Sequence, residues 1–146
     1  MKEIENIVVP VDFLEHTDNL VDFAVNIAKK LDGKIRFIHV VENPYSFAEY
    51  SYPSMNIFQT ELVEVAEERM KRLVEKNKNT CSGCEGKVIT GNVVETILDF
   101  VKEVKGDLII IGTHGRKGLE KMWLGSVAER VVRRSPCPAL TCNPYR

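Results

Sequence analysis

No hydrophobic run in this 146-residue sequence approaches the roughly 18 apolar residues of a membrane-crossing helix. A secretory leader is not visible either. Met1-Lys-Glu-Ile-Glu-Asn6 carries acids, and the apolar run after it is only a strand long. The expected address is the cytoplasm. Charge of one sign is also missing: 20 Lys and Arg against 21 Asp and Glu leave a net charge of −1. Nothing over the whole chain therefore favours nucleic acid or an acidic membrane surface. Two familiar phosphate loops are absent. No stretch reads GxxxxGK followed by Ser or Thr, and Lys117 follows Gly112 in the wrong context; no GxGxxG follows the first strand. Cysteine is scarce, at 81, 84, 137 and 142. Cys81-Ser-Gly-Cys84 has zinc-knuckle spacing, but the other pair has four residues between its members and lies far along the chain. A redox pair should open a helix after a strand, whereas this one precedes a strand. The thiols read as a surface-loop pair and a pair in or beside the last strand.

What is present is an ordinary globular composition, 28% charged and 44% apolar. The length fits one domain over residues 1–146, able to bury roughly 70% of its unfolded surface. Residues 4–11 form an apolar run that reads as a strand buried on both faces and ending in Pro10-Val11-Asp12-Phe13. Thr17 or Asp18 can cap a helix with apolar residues at 20, 23, 24, 27, 28 and 31, closed by Gly33 in the left-handed region. Strand two, 34–41, carries Arg36 and His39 and belongs nearer an edge. Residues 42–57 make a long connection with Tyr45, Phe47, Tyr50 and Tyr52, which suggests a segment that partly covers a site or joins a subunit contact. A helical stripe spans about 57–78, a short strand 87–90, and Asn92-Val-Val-Glu95 opens another helix as a capping box.

The stretch from Asp107 to Pro138 carries the chemistry. Asp107-Leu-Ile-Ile-Ile-Gly112 reads as a doubly buried strand, and apolar positions 127, 128, 131 and 132 mark an amphipathic helix ending in cations. Between them lies a loop punctuated by glycines at 112, 115, 118 and 125. A strand entering a helix through such a loop can hold an anion, because unpaired N–H groups and the positive dipole end point the same way. Each residue also has a plainer role. Gly112 and Gly115 can permit turns, and Ser126 with Glu129 can form a capping box without any ligand.

The βαβαβαβαβ alternation demands a parallel sheet with helices on both faces. The most continuously apolar strands, first and fourth, belong in the middle, and right-handed crossovers favour the order 3-2-1-4-5. Ligands in such α/β sheets bind outside the strands' carboxyl ends where the winding reverses. Asp12 follows strand one at that point, and the segment 112–125 follows strand four.

Gly112-x2-Gly115-x9-Gly125-Ser126 resembles the nucleotide-binding signature of the universal stress protein family, in its ATP-binding branch. Ser135-Pro-Cys-Pro138 looks like that family's lead into its last strand, and the resemblance runs the length of the chain. It implies a Rossmann-like fold of the adenine nucleotide alpha hydrolase type. It further implies an adenine nucleotide (ATP, or AMP or ADP) with its phosphates on Gly112, Gly115, Gly125, Ser126 and Val127. Asp12 would bond the ligand near ribose and base, Val40 or Val41 would meet the adenine through the backbone, and Pro10 and Ile111 would form apolar walls. Arg116, Lys117 and Lys121 lie in the same loop and could add charge. The chain departs from many relatives at Phe13-Leu14, where they have a small or hydroxyl residue. The family commonly dimerises through the last strand, which here implies a homodimer using residues 138–143. No phosphoryl-transfer machinery is evident, since Asp12 and Glu129 are the only carboxylates near the phosphates and His114 is a better hydrogen-bond filler than acid or base. The resemblance is compatible with slow ATP turnover at most, with Mg²⁺ or Mn²⁺ on the phosphates. A nucleotide-independent dimeric scaffold and a slow ATPase are the competing readings.

Overall fold

The computed structural model describes residues 2–42, 53–113 and 125–143, without the side chains of 53–57. Its elements are β1 (Asn6–Pro10), α1 (Thr17–Leu31), β2 (Lys34–Glu42), α2 (Pro53–Asn77), β3 (Cys84–Gly91), α3 (Val93–Glu103), β4 (Leu108–Gly112), α4 (Ser126–Arg134) and β5 (Ala139–Cys142). The five strands are all parallel and lie in the expected order β3-β2-β1-β4-β5.

Strand periodicity sorts the core into two layers. Successive side chains of a strand point to opposite faces. Ile7 and Val9 of β1, Ile35 and Phe37 of β2, and Leu108 and Ile110 of β4 face α1 and α2, meeting Leu20, Val21, Ala24, Ala28, Met70 and Leu73. Val8, Ile38, Ile109 and Ile111 face the other way, onto Val94, Ile97, Leu98 and Val101 of α3 and Ala128 and Val131 of α4. Helices therefore cover both faces, as the unbroken apolar runs of β1 and β4 require. Burying such a side chain contributes about 1.5–3 kcal/mol. Exposed pairs such as Arg133–Glu129 (2.9 Å) contribute at most about 0.5 kcal/mol, so the two apolar layers dominate stability.

Several boundaries differ from expectation for local reasons. Helix α2 begins at Pro53 rather than near 57, because proline is tolerated in a first helical turn. The expected long connection shrinks to 43–52, and its aromatic cover lies outside the described residues. Strand β3 starts at Cys84, not 87, so this thiol opens a strand; its Sγ donates to Val74 O at 3.5 Å. Burial, then the neighbouring Cys81, pushes the Cys84 pKa up to about 11, which leaves little thiolate. The left-handed residue closing α1 is Asp32 (φ 54°), not Gly33. Gly33 is needed for a different reason: a Cβ there would sit 2.9 Å from Ile7 Cδ1. At α3, Asn92 Oδ1 accepts from Glu95 N (3.1 Å) as expected, but the Glu95 carboxylate turns away to Arg134 instead of completing the box.

At the amino end of the sheet, β1 and β4 are locked by one carboxylate. Asp107 Oδ2 accepts from Glu5 N and Asn6 N, each at 3.0 Å, and its own N–H donates to Asn6 O at 2.8 Å. Lys2 Nζ lies 2.8 Å from Oδ1. Burial opposes the charge, but the Lys2 and backbone hydrogen bonds outweigh it and hold the carboxyl below its ordinary value. Among the described residues no helix is long and apolar enough to cross a membrane.

A carboxyl with a depressed folded pKa adds stability above its unfolded value of about 3.9, and that stability disappears as pH falls through the folded value. Asp107→Ala should thus cost about 1–3 kcal/mol near pH 7, through two stranded amides and a lost charge contact. The gap between variant and parent should narrow below about pH 4. Urea unfolding at pH 7 and pH 3 measures both, and a gap independent of pH would exclude the charged contact as its source.

Candidate functional site

The sheet itself opens the site. β1 pairs with β2 along its whole length, through Pro10↔Ile38, but its pairing with β4 ends at Val8↔Ile109. Beyond that register β1 runs on toward α1 and β4 toward α4, on opposite faces. A crevice of about 750 Å³ lies at these carboxyl ends, within the usual size range for a small-molecule site.

Every residue expected at the site that lies among the described residues lines this crevice. From β1 come Pro10 and Asp12, from the end of β2 Val40 and Val41, and from β4 Ile111 and Gly112. The α4 start adds Gly125, Ser126 and Val127. Gly115, together with His114, Arg116, Lys117, Gly118 and Lys121, lies outside the described residues.

The two ends of the glycine loop are tied to each other. Thr113 is buried, its N–H donates to Cys142 O (3.0 Å), and its carbonyl accepts from Gly125 N (2.7 Å). Thr113 and Gly125 thus meet, which brings β4's end against α4's start. Gly125 is the N-cap with φ −56°, an angle open to any residue. Its need for glycine comes from contact: a Cβ would lie 3.0 Å from Thr113 O. The expected Ser126–Glu129 capping box does not form. Ser126 is the first helical residue and is exposed, Glu129 N donates to Gly125 O (2.9 Å), and the Glu129 carboxylate pairs with Arg133. Among the described residues no side chain caps the first-turn amides of α4, and this positive end of the helix dipole borders the crevice.

Asp12 already serves a local role. Its Oδ1 accepts from Leu14 N (2.9 Å) and from Thr17 Oγ1 (3.2 Å), an Asx turn that starts the approach to α1. Neither Thr17 nor Asp18 caps that helix; His16 holds the N-cap position without a side-chain cap bond. Phe13 between them takes φ 59°, and its ring packs on His39 with centroids 4.7 Å apart.

Sequence reasoning gave several further contributors no part in the site. Thr113 ties the loop, His39 holds the Asp12 turn, and α2 supplies an apolar wall with Leu62, Val65 and Ala66. Arg69 and Arg130 add cationic side chains to the lining, and Glu42 adds a carboxylate. Two of these left a trace in the sequence: His39 as a polar residue in an apolar strand, and positions 62, 65 and 66 as part of the helical stripe over 57–78. No three His, Cys, Asp or Glu side chains converge on a possible metal position among the described residues.

The universal stress protein family model matches residues 3–143. The chain belongs to that family. A universal stress protein of Methanocaldococcus jannaschii is 31% identical over 136 residues, covering 93% of this chain and 80% of the relative. The family fold is equally clear. UspA from Lactobacillus plantarum superposes with a TM-score of 0.82 at 23% identity, covering 98% of this chain and all of that one. Two further solved structures are universal stress proteins with ligands. One is in complex with cAMP (TM-score 0.62, 23% identity, 98% and 99% covered). The other, from Archaeoglobus fulgidus, is in complex with dAMP (TM-score 0.65, 19% identity, 96% and 98% covered).

The tie between Gly125 and Thr113 makes a prediction about side-chain size. Gly125→Ala should cost about 1 kcal/mol by lengthening a buried hydrogen bond. Gly125→Val should cost more, about 1–3 kcal/mol, because a branched side chain cannot avoid the carbonyl. Denaturant midpoints rank the three proteins, and equal midpoints would show that the approach is not tight.

Proposed function

We propose that the crevice is an adenine-nucleotide site and that the protein is a nucleotide-dependent regulatory module of the stress response. The observation that carries this reading is convergence. Residues far apart in sequence, expected at the ligand on separate grounds of topology and glycine spacing, line one crevice at the point where the winding reverses. The dAMP and cAMP complexes of structural relatives support the class of ligand.

In this reading the uncapped amides at Ser126 and Val127 receive the phosphates, helped by the Ser126 hydroxyl and by Gly112, Gly115 and Gly125. Pro10 and Ile111 form apolar walls, the backbone at Val40 or Val41 meets the adenine, and Asp12 receives the ribose through the oxygen left free by its turn. ATP is the expected species, with AMP or ADP as its products or substitutes, and Mg²⁺ or Mn²⁺ would ride on the phosphates. Turnover is slow at most. Of the carboxylates near the helix start, Glu129 is paired with Arg133, and Asp12, with one oxygen in its turn, is assigned to the ribose. A phosphoryl-transfer site needs a positioned nucleophile and metal ligands, and neither is assembled among the described residues.

A homodimer is the second part of the proposal. β5 pairs only with β4 and is an edge of the sheet, a ready template for another copy. Residues 138–143 would form the contact. Light scattering at micromolar concentration should return a dimer, and Thr141→Pro, which removes an N–H that points away from β4, should shift it toward monomer. A monomeric parent would remove this part of the proposal.

The missing capping box sharpens the test of nucleotide binding. Since Ser126 caps nothing, Ser126→Ala should leave the melting temperature unchanged while weakening ATP by roughly one to two decades, the worth of one charge-assisted hydrogen bond. Gly125→Val should abolish binding. Calorimetric titration with ATP and dAMP, beside thermal melts, reads both. If the parent binds neither nucleotide, the protein is better read as a dimeric scaffold.

A further inference from the structure

The turn that carries Asp12 is strained and needs a brace. Phe13 sits at φ 59°, in the left-handed region that bulky residues avoid. It is followed by Leu14, whose N–H is held by Asp12 Oδ1 at 2.9 Å. This conformation persists only if its surroundings fix the residues on either side of Asp12.

One side chain meets both of them. His39 Nδ1 lies 2.7 Å from Val11 O, the residue before Asp12. Its ring packs on Phe13, the residue after, at 4.7 Å between centroids and 45° between planes. A backbone carbonyl can only accept, so Nδ1 must carry the hydrogen and donate it. Val11 is buried and its N–H donates to Ile38 O (2.8 Å), immediately before His39. Without the imidazole, the Val11 carbonyl would lose its side-chain donor and Phe13 its facing ring. His39 also lines the crevice itself.

We propose that His39 is a positioning residue, which braces the Val11–Phe13 turn from β2 so that Asp12 presents its second carboxylate oxygen to a ligand hydroxyl. The inference deepens the nucleotide reading and rests on it for the identity of the ligand. The brace itself is a property of the turn and can be measured without a nucleotide.

Two variants separate the two contacts. His39→Phe keeps a ring against Phe13 and removes the donor. His39→Asn places an amide donor near the former Nδ1 and removes the ring. In calorimetric titrations with ATP, His39→Phe should weaken binding about tenfold, the worth of one lost hydrogen bond, and His39→Asn should recover most of the loss. In an Asp12→Ala background His39→Phe should cause no further loss, because its effect passes through Asp12. Amide hydrogen exchange supplies the ligand-free measurement. Exchange at Leu14 should accelerate at least tenfold in His39→Phe and stay near the parent rate in His39→Asn, with the β1 and β4 amides unchanged. Additive losses in the double variant, or a Leu14 rate unaffected by His39→Phe, would overturn the brace while leaving the nucleotide reading intact. A parent that binds no nucleotide, with Leu14 accelerated as described, would overturn the nucleotide reading and the assigned role of Asp12 in it.

Discussion

The hydrogen bond from the Gly125 amide to the Thr113 carbonyl is the constraint on which the site depends. It joins the end of β4 directly to the start of α4. Thr113 is held in turn by Cys142 at the end of β5, which ties the loop's base to the sheet edge. The positive end of α4 is thereby fixed beside the strand reversal, and Ser126 and Val127 line the crevice with no side-chain cap among the described residues. A loop that merely had glycines would not achieve this. The tie needs a residue at 125 small enough to approach a backbone carbonyl at van der Waals contact.

The fold was legible because strand burial writes itself in unbroken apolar runs. Residues such as Ile109, Ile110 and Ile111 could only belong to a strand covered on both faces, and the alternation with helical stripes then left one plausible strand order. Topology and the family resemblance pointed to Asp12 and to the 112–125 segment, and Asp12 and the two described ends of that segment line one crevice. Local chemistry was harder to read. Ser126 and Glu129 have the right spacing for a capping box, yet the backbone tie puts Gly125 at the cap, one residue earlier than the pattern suggests. Gly33 looked like a left-handed closer, but Asp32 adopts that angle and Gly33 is small because Ile7 lies against it. Thr113 could not be read at all, since its role depends on two partners, Cys142 and Gly125, that only the folded chain brings together.

Under the proposed reading, a plain role and a ligand-binding one share the Asp12 side chain. An Asx turn uses one carboxylate oxygen and fixes the direction of the other, so the local bond prepares the group rather than consuming it. The position of Phe13, unusual for a bulky residue at a left-handed angle, follows the same logic. The aromatic ring finds a partner in His39 on the neighbouring strand, which a small residue there would not do.

Asp107 has a further consequence at the far end of the sheet. It clasps the start of β1 through two amides and a carbonyl, directly before β4 begins, while the other ends of these two strands part company after Val8 and Ile109. The two strands are thus held to each other at one end only, and beyond Val8 and Ile109 each is carried by its outer neighbour, Pro10 by Ile38 and Gly112 by Cys142. The gap between Pro10 and Gly112 is therefore bordered on each side by a strand with its own outer partner.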